Sequence, residues 1–408
     1  MKQIMQKTLA ALLALTLLFT PIFAHGSTKV EIPTVNALGA VLIDAETGRL
    51  LWGKNEHTPL AMASTTKIMT AVIALESGRL NETVTISPKA AAAPRMKMFL
   101  SAGEKIRLGD LLLALMLESS NDAAVAIAEH LSGSVDAFCQ TMTAKAHGLG
   151  ATNTIFETPN GLDAGSHQST PYDLALITRY AMQVPGFVTL TNTRSANFTS
   201  DKRSYAMHNK NRLLDEFPGA NGVKTGFTNK AGHCFVGAAK RDGLQLISVV
   251  LASGWGPAGR NQKFTDTKEI LSYGFANYEF ETIITAEAPA GTLPVTRSRT
   301  KTMDYVYNYG ARVPLHQNHK ESVYVELSVP TAIQAPIAAG DMIGVARIFI
   351  DTDFFVEIPL KATANATRHD FKTSLEKVLS AQVENMTQKP AQITLPEFFA
   401  FPHVLSPP

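Results

Sequence analysis

The sequence contains little cysteine, few aromatic residues and no excess of either charge. Its 408 residues include only two cysteines, 8% aromatic residues and 18% charged residues, with a formal net charge of +2. A near-neutral chain lacks the basic surface with which nucleic-acid-binding proteins neutralise phosphates. Two cysteines cannot build the disulfide framework of a small secreted scaffold. The composition therefore excludes these two classes, and the length predicts two or three ordinary globular domains.

Both cysteines lie in apolar stretches. Cys139 follows Ala137 and Phe138, and Cys234 precedes Phe235 and Val236. Unpaired cysteine is among the most buried residue types, and neither position has the basic neighbours of a reactive thiolate. We therefore expect two buried free thiols rather than a disulfide.

The N-terminus carries the longest apolar run. Two lysines precede the apolar run from Leu9 to Phe19, and small residues follow it. This order predicts a secretory signal peptide over residues 1–24, cleaved near Ala24 or Gly26. The run is too short to span a bilayer, which takes about 20 residues. We therefore expect an exported protein, in the periplasm or on the outer face of the cytoplasmic membrane, with a formal charge near zero after cleavage.

Helical and strand patterns follow each other along the chain, which predicts an α+β fold. Leu38–Ile43 and Arg49–Trp52 flank a turn and predict a β-hairpin. Helical patterns begin near Ser64, cover 108–132 with a break at 118–121, and return at Tyr172–Met182 and Thr265–Tyr278. Strand patterns occupy Val223–Gly226, His233–Ala239 and Leu244–Ala252, which we expect to be adjacent and antiparallel.

The composition changes near residue 280. From 281 to 362, short strand patterns are separated by proline, glycine and asparagine, which predicts a small all-β domain. A helical pattern over 369–386 and a proline-rich tail follow. We therefore expect a main domain at 30–280, a β-rich domain at 281–362, and an amphipathic helix with its tail at 363–408.

Ser64 and Lys67 have the spacing of a nucleophile and its base. If Ser64 opens a helix, Lys67 lies one turn later on the same face. A serine hydroxyl needs a base within hydrogen-bonding reach, and a lysine serves only if its pKa is lowered by burial or by another cation. The apolar neighbours of Lys67 supply burial, and Lys224 is the candidate second cation. Taken alone, Ser64 would be interpreted as a helix cap.

Two further short motifs provide candidate substrate contacts. Ser119 and Asn121 fall in the break between two helical patterns, where Ser119 can pass a proton to a leaving amine and Asn121 can bind a substrate amide. Lys224 and Thr225 begin a strand whose edge can pair with a peptide, and together they offer a pocket for a terminal carboxylate. Gly226 permits close approach of the backbone.

The oxyanion hole is the last predicted part of the site. We assign it to the backbone amides of Ser64 and Phe227, since such donors contribute several kcal/mol to catalysis. Each motif alone is weak evidence, but the three in this order after a signal peptide match a signature known from β-lactamases and penicillin-binding proteins.

From about residue 37 to 361 the chain resembles the low-molecular-weight penicillin-binding proteins of the D-alanyl-D-alanine carboxypeptidase family. The segments that carry the resemblance are Ala63–Thr70, Ser119–Ala123, Asn160–Leu162, His167–Asp173, Asn209–Leu214, Gly222–Thr228 and Ala335–Gly344. The chain departs from the family pattern at Ser120, where a glycine is frequent, and at Lys210, where an arginine is frequent. The resemblance implies a β-lactamase/transpeptidase-like domain, with an antiparallel sheet flanked by helices.

The resemblance also implies an activity. Ser64 would form an acyl-enzyme with peptidoglycan stem peptides, release the terminal D-alanine without a cofactor or metal, and be acylated by β-lactam antibiotics. The helix at 371–386 would make peripheral contact with a membrane, although Glu376 and Glu384 and its short length weaken this expectation.

Four alternatives stay open from the sequence. A β-lactamase needs a deacylating base, for which Glu157 is the candidate, although its spacing differs from the usual one. A D,D-endopeptidase uses the same residues, and a non-catalytic peptidoglycan-binding protein would keep the fold. His316 and His319 have the spacing of zinc ligands but lack a clear third ligand.

Overall fold

The computed structural model describes residues 31–387, apart from 318 and 370. The described residues form two compact units: the first contains those up to Glu281 together with Val313–Glu321, and the second contains those of Thr282–Arg312 and of 322–387. The predicted signal peptide and proline-rich tail lie outside the described residues. Among the described residues, none of the helices combines the length and apolar character needed to cross a membrane.

The first unit contains a five-stranded antiparallel sheet and nine helices among its described residues. Its strands are β1 (Gly39–Asp44), β2 (Leu50–Lys54), β3 (Thr83–Thr85), β4 (Lys105–Arg107), β5 (Ser195–Thr199), β6 (Ser204–His208), β7 (Ala220–Thr228), β8 (Gly232–Arg241) and β9 (Leu244–Leu251). Its helices are α1 (Lys67–Glu76), α2 (Pro88–Ala91), α3 (Leu108–Leu117), α4 (Asn121–Ser132), α5 (Val135–Gly148), α6 (Pro171–Ala181), α7 (Phe187–Asn192), α8 (Leu213–Glu216) and α9 (Gly256–Asn277). The sheet order is β2-β1-β9-β8-β7, and β3-β4 and β5-β6 form separate hairpins.

The five-stranded sheet is a central layer with a hydrophobic core on each face. Along β8, Phe235 belongs to one core and Val236 to the other, and along β9 Val250 and Val249 divide in the same way. This division follows from the alternation of side chains along a strand. Helix α9 packs on the Phe235 face, and the other long helices pack on the opposite face. Burial on both faces explains why β8 and β9 are almost continuous apolar runs.

Two buried helices begin at motif residues, and a third ends just before Ser119. Helix α3 is leucine-rich around its whole circumference, as expected for a helix enclosed on all sides. Helix α1 begins at Lys67 and α4 begins at Asn121, so both motif residues stand at helix N-termini within the same core. The first unit therefore builds its polar centre from helix ends rather than from a surface loop.

Several predicted elements are confirmed. Strands β1 and β2 form the predicted antiparallel hairpin, and β7, β8 and β9 are adjacent and antiparallel. The predicted break near 118–121 separates α3 from α4. Cys139 and Cys234 are free and buried, as expected.

Other boundaries differ from the prediction. Ala63–Thr66 is a 3-10 turn that precedes the α-helix, so Ser64 lies before α1 rather than within it. Helix α9 starts at Gly256 rather than near Thr265, because a proline in the first helical turn needs no N–H partner. The polar β5-β6 hairpin and α5 have weak apolar periodicity, and they were not predicted.

The second unit is β-rich, as predicted. The remaining strands are β10 (Tyr278–Ile284), β11 (Pro289–Thr296), β12 (Thr302–Tyr307), β13 (Ala311–His316), β14 (Val323–Ser328), β15 (Ile333–Gln334), β16 (Met342–Ile350) and β17 (Asp353–Ala362). Six strands form one sheet in the order β14-β16-β17-β12-β11-β15 around a core that includes Ala346, Ile348, Ile358 and Leu360. Helix α10 (Phe371–Thr387) follows, close to the predicted 369–386.

Gly161 fixes the loop that passes behind the Ser64 turn. Its φ is +83°, and a Cβ there would lie 1.9 Å from the Ala63 carbonyl oxygen. Gly133 is a matched control, because its φ is +75° but no atom lies within 4 Å of the same position. Alanine in the left-handed region costs about 1–2 kcal/mol, and overpacking adds about 1–3 kcal/mol only at Gly161.

We therefore expect Gly161→Ala to lower the melting temperature of the first unit at least twice as much as Gly133→Ala. Thermal unfolding followed by circular dichroism measures both variants. Equal losses would show that the loop moves away from Ala63 without cost.

Candidate active site

Ser64 lies at the tip of the 3-10 turn, where it is partly exposed. Two neighbouring hydroxyls hold the turn: Thr65 donates to the Met62 carbonyl at 2.6 Å, and Thr66 donates to the Ala63 carbonyl at 2.8 Å. Residues three apart are eclipsed in a 3-10 turn. The Lys67 Nζ accordingly lies 3.0 Å from the Ser64 Oγ. The structure thus brings this predicted pair within hydrogen-bonding distance.

Lys67 is completely buried and has three polar neighbours. Its Nζ lies 3.0 Å from Ser64 Oγ, 2.9 Å from Asn121 Oδ1 and 2.5 Å from the Asn160 carbonyl oxygen. Among the described residues it makes no ion pair with a carboxylate. Burial lowers the pKa of Lys67 well below its ordinary value, and the charge of Lys224 lowers it further.

The lowered pKa of Lys67 favours a neutral amine, which limits what its hydrogen bonds can be. A neutral amine donates two hydrogen bonds and accepts one, whereas an ammonium group only donates. Two of the partners, Asn121 Oδ1 and the Asn160 carbonyl, can only accept. The Asn121 amide is oriented by its nitrogen, which donates to the carbonyls of Pro94 and Arg95. In the structure Lys67 Nζ donates to Ser64 Oγ, and the Ser64 hydroxyl donates to the Asn160 carbonyl at 3.3 Å. To pass its proton to a neutral Nζ, the Ser64 hydroxyl therefore only has to rotate.

Ser119 and Asn121 occupy the turn between α3 and α4, but they play different structural parts. Ser119 has a φ of +66°, a strained value for a residue with a side chain, and it lines the cleft. Asn121 is buried, and its side chain is occupied by Lys67 and by two backbone carbonyls. The structure therefore places Asn121 beneath the cleft, against the lysine.

The β7 strand forms the opposite wall at an edge of the sheet. Lys224 is buried there, and its Nζ donates to the Thr225 carbonyl at 3.1 Å. Burial lowers the pKa of Lys224 to about 7, with further contributions from the charges of Lys210 and Lys263. A Cβ on Gly226 would lie 3.0 Å from the Ser64 backbone nitrogen, so the absence of a side chain lets β7 approach the turn.

These residues surround a cavity of about 710 Å³. Five predicted residues line it: Ser64, Ser119, Thr225, Gly226 and Phe227. Lys67, Asn121 and Lys224 do not line the cavity. They lie directly behind the lining residues, and Lys67 and Lys224 contact two of these, Ser64 and Thr225. The Phe227 side chain is half-exposed, and its ring packs against the His233 ring with 4.4 Å between centroids and a tilt of 33°.

The cavity also has cationic residues that the sequence motifs did not identify. They are Arg212, Arg260 and Lys263, and they lie beside the imidazole of His233, whose pKa is lowered by burial. Burial lowers the pKa of Lys263 to about 8, and its Nζ lies 3.4 Å from His233 Nδ1. These four residues span 52 positions of the sequence with no motif spacing, so only the fold brings them together. The added positive charge suits an anionic ligand.

The residues of two alternative hypotheses lie elsewhere. The Glu157 carboxylate accepts a hydrogen bond from the Ser166 amide at 2.9 Å and does not line this cavity. His316 accepts a hydrogen bond from the His319 amide at 3.1 Å. Within the described part of the chain, no three His, Cys, Asp or Glu side chains are grouped so as to hold a metal ion.

Comparison with known proteins gives the same assignment over most of the chain. The model of the D-alanyl-D-alanine carboxypeptidase family matches residues 26–254, and that of the penicillin-binding protein 5 C-terminal domain matches residues 278–368. D-alanyl-D-alanine carboxypeptidase DacF of Bacillus subtilis is 29% identical over 387 residues, which cover 93% of this chain and 98% of the relative. DacB2 of Mycobacterium tuberculosis is 37% identical over 250 residues, covering 61% and 85%.

A solved structure extends the likeness to three dimensions. Penicillin-binding protein 5 from Haemophilus influenzae superposes with a TM-score of 0.71 at 28% identity, over 83% of this chain and 100% of that one. The family match spans more than half of the sequence and contains all three motifs around the cleft. The chain therefore belongs to the D-alanyl-D-alanine carboxypeptidase family of penicillin-binding proteins.

Proposed function

We propose that the protein is a serine-type D-Ala-D-Ala carboxypeptidase that removes the terminal D-alanine from peptidoglycan pentapeptide stems. The observation that carries the proposal is the contact between Ser64 Oγ and the buried amine of Lys67 at 3.0 Å, at the base of a cationic cleft. A neutral lysine accepts the serine proton, which makes the oxygen nucleophilic.

Acylation follows from this geometry. Ser64 Oγ attacks the carbonyl carbon of the penultimate D-alanine while its proton passes to Lys67 Nζ. The backbone amides of Ser64 and Phe227 stabilise the oxyanion. The C–N bond then breaks, and the proton returns through Ser119 to the leaving amine, releasing D-alanine. Water hydrolyses the ester in a second cycle, and a β-lactam forms the same ester through its ring amide.

The substrate carboxylate binds at Lys224 and Thr225. Gly226 leaves room for the peptide to lie along the edge of β7, and Phe227 supplies an oxyanion donor. Asn121 holds Lys67 through its Oδ1 atom at 2.9 Å. Its predicted contact with a substrate amide stays a prediction, which requires the carbonyl contacts of its nitrogen to open.

The same machinery leaves one alternative activity, D,D-endopeptidase cleavage of cross-links. The β-rich unit, which matches the C-terminal domain of penicillin-binding protein 5, favours the carboxypeptidase. Turnover of a pentapeptide stem and of a cross-linked dimer by the purified protein separates the two activities.

We also propose that the protein is exported and rests on a membrane surface. The N-terminal pattern of residues 1–24 supports export. Helix α10 exposes an apolar stripe with helical spacing, formed by Leu375, Val378, Leu379 and Val383. A half-exposed stripe of this kind suits the boundary between lipid headgroups and acyl chains. In this proposal 30–280 is the catalytic domain, 281–362 the β-rich domain, and 363–408 the attachment segment.

Ser64→Ala should abolish covalent labelling by a fluorescent penicillin, because the alanine has no oxygen to acylate. Gel fluorescence after a fixed incubation measures the label. Ser132→Ala, at the far end of α4, is the matched control and should label like the wild type. Labelling of the Ser64 variant would move the nucleophile to another residue.

The pH dependence of kcat/KM should report Lys224. Its charged form binds the carboxylate, and its pKa of about 7 means that kcat/KM for a peptide ending in D-Ala-D-Ala falls as the pH rises through 7. Lys224→Arg keeps the charge and should move this descending limb to higher pH. Lys224→Ala should lower kcat/KM on the order of 100-fold. A descending limb that stays in place in Lys224→Arg would assign it to another group.

Leu379→Asp should weaken sedimentation of the full-length chain with anionic lipid vesicles, because it places a charge in the apolar stripe of α10. Ala381→Asp introduces the same charge on the opposite side of the helix and is the control. Identical sedimentation of the two variants would remove α10 as the attachment surface.

A further inference from the structure

A loop beside the cleft, Pro94–Leu100 (loop 94–100), is held by the residues of the second motif. The Asn121 amide donates to the Met96 carbonyl at 2.7 Å, and the Asn121 side chain donates to two more carbonyls of the loop. The Asp122 carboxylate accepts two hydrogen bonds from loop amides at 3.1 Å. The loop therefore has a fixed position relative to the residue that contacts Lys67.

Loop 94–100 forms one wall of a second pocket, of about 300 Å³. The lining residues are Arg95, Met96, Lys97, Met98, Phe99, Glu118, Ala206, Met207 and Lys210. Met96 is 50% exposed and Phe99 is 54% exposed. Phe99 also has a φ of +63°, which is rare for a bulky residue. Anchoring by Asp122 thus keeps a strained backbone that presents apolar side chains to solvent, a combination typical of binding surfaces.

The pocket carries an excess of positive charge. Its one carboxylate, Glu118, pairs with Lys210 at 2.7 Å. Arg95 and Lys97 make no ion pair among the described residues, and the Lys97 Nζ donates to the Ala91 carbonyl at 3.0 Å. Two cations beside methionine and phenylalanine side chains favour a ligand that combines a carboxylate with an aliphatic chain.

The second pocket adjoins the catalytic cleft and shares two lining residues with it. Met96 and Lys210 line both cavities, and Ser119 lies on the same side of the cleft. The terminal carboxylate of a substrate is assigned to the other wall, at Lys224 and Thr225. A peptide held there by its C-terminus therefore reaches the second pocket with the part that precedes the scissile bond.

We propose that this pocket is an acyl-side subsite that selects peptides carrying an additional carboxylate on an aliphatic side branch, with Arg95 and Lys97 as the recognising groups. This inference rests on the proposed carboxypeptidase activity. It adds a preference for the acyl portion of the substrate to the recognition of its free C-terminus.

The test uses two lysyl-D-Ala-D-Ala peptides that differ only at the lysine side chain, which carries Nε-succinyl in one and Nε-butyryl in the other. The two acyl groups have the same carbon number, but only succinyl ends in a carboxylate. The wild type should show about a tenfold higher kcat/KM for the succinyl peptide at low ionic strength. The Arg95→Gln/Lys97→Gln double variant should reduce this ratio to about one.

Lys240→Gln is the control, because Lys240 is an exposed lysine of β8 that lines neither pocket. It removes a positive charge and should keep the tenfold ratio. Turnover of both peptides by the wild type at equal kcat/KM would overturn the subsite and leave the carboxypeptidase proposal intact. No turnover of either peptide would overturn the carboxypeptidase proposal itself, and the subsite with it. A ratio that persists in the double variant, folded by its melting temperature, would place the recognition on other residues.

Discussion

The site depends on the buried amine of Lys67, which makes no ion pair with a carboxylate among the residues that the structure describes. A buried ammonium is costly, so burial shifts Lys67 toward its neutral form, and the Lys224 charge acts in the same direction. The fold satisfies the neutral amine with two acceptors that belong to distant parts of the chain, Asn121 Oδ1 and the Asn160 carbonyl. The remaining partner is the Ser64 hydroxyl. The same packing that favours the neutral amine therefore holds the Ser64 hydroxyl 3.0 Å from it, within reach of proton transfer.

Holding these groups requires unfavourable backbone conformations around the cleft. Ala63, Phe99 and Ser119 all have positive φ values, of +48°, +63° and +66°. Each costs on the order of 1–3 kcal/mol and persists only where surrounding contacts fix it. The Thr66 hydroxyl fixes the first through the Ala63 carbonyl, and the Asp122 carboxylate fixes the loop that contains the second. Buried side chains in and beside the motifs thus hold strained backbone in place, in addition to supplying the catalytic groups.

The sequence predicts the parts of the site that depend on spacing, and misses those that depend on folding. The Ser64–Lys67 contact follows from residues three positions apart, and a short strand pattern predicts the strand that carries Lys224. The Asn160 carbonyl has no side-chain signature, because any residue offers one, so its contact with Lys67 could not be read from the sequence. Lys263 lines the cleft from α9. The sequence predicts that this helix begins near Thr265, after Lys263, and so does not place Lys263 on it. The helix in fact begins at Gly256, with Pro257 in its first turn.

Two buried lysines in one cleft have a consequence for selectivity under the proposed activity. Lys224 lies directly behind the part of the cavity lined by Thr225 and Gly226, and its pKa of about 7 leaves it about half charged at neutral pH. A bound carboxylate stabilises the charged form and offsets its desolvation, whereas a neutral group leaves the ammonium buried and unpaired. The pair of bound carboxylate and Lys224 is close to neutral as seen from Lys67, so binding removes the Lys224 contribution and leaves burial as the main cause that keeps the pKa of Lys67 low. A free C-terminus is thus favoured over a neutral end group, because only the carboxylate charge compensates the buried Lys224 ammonium.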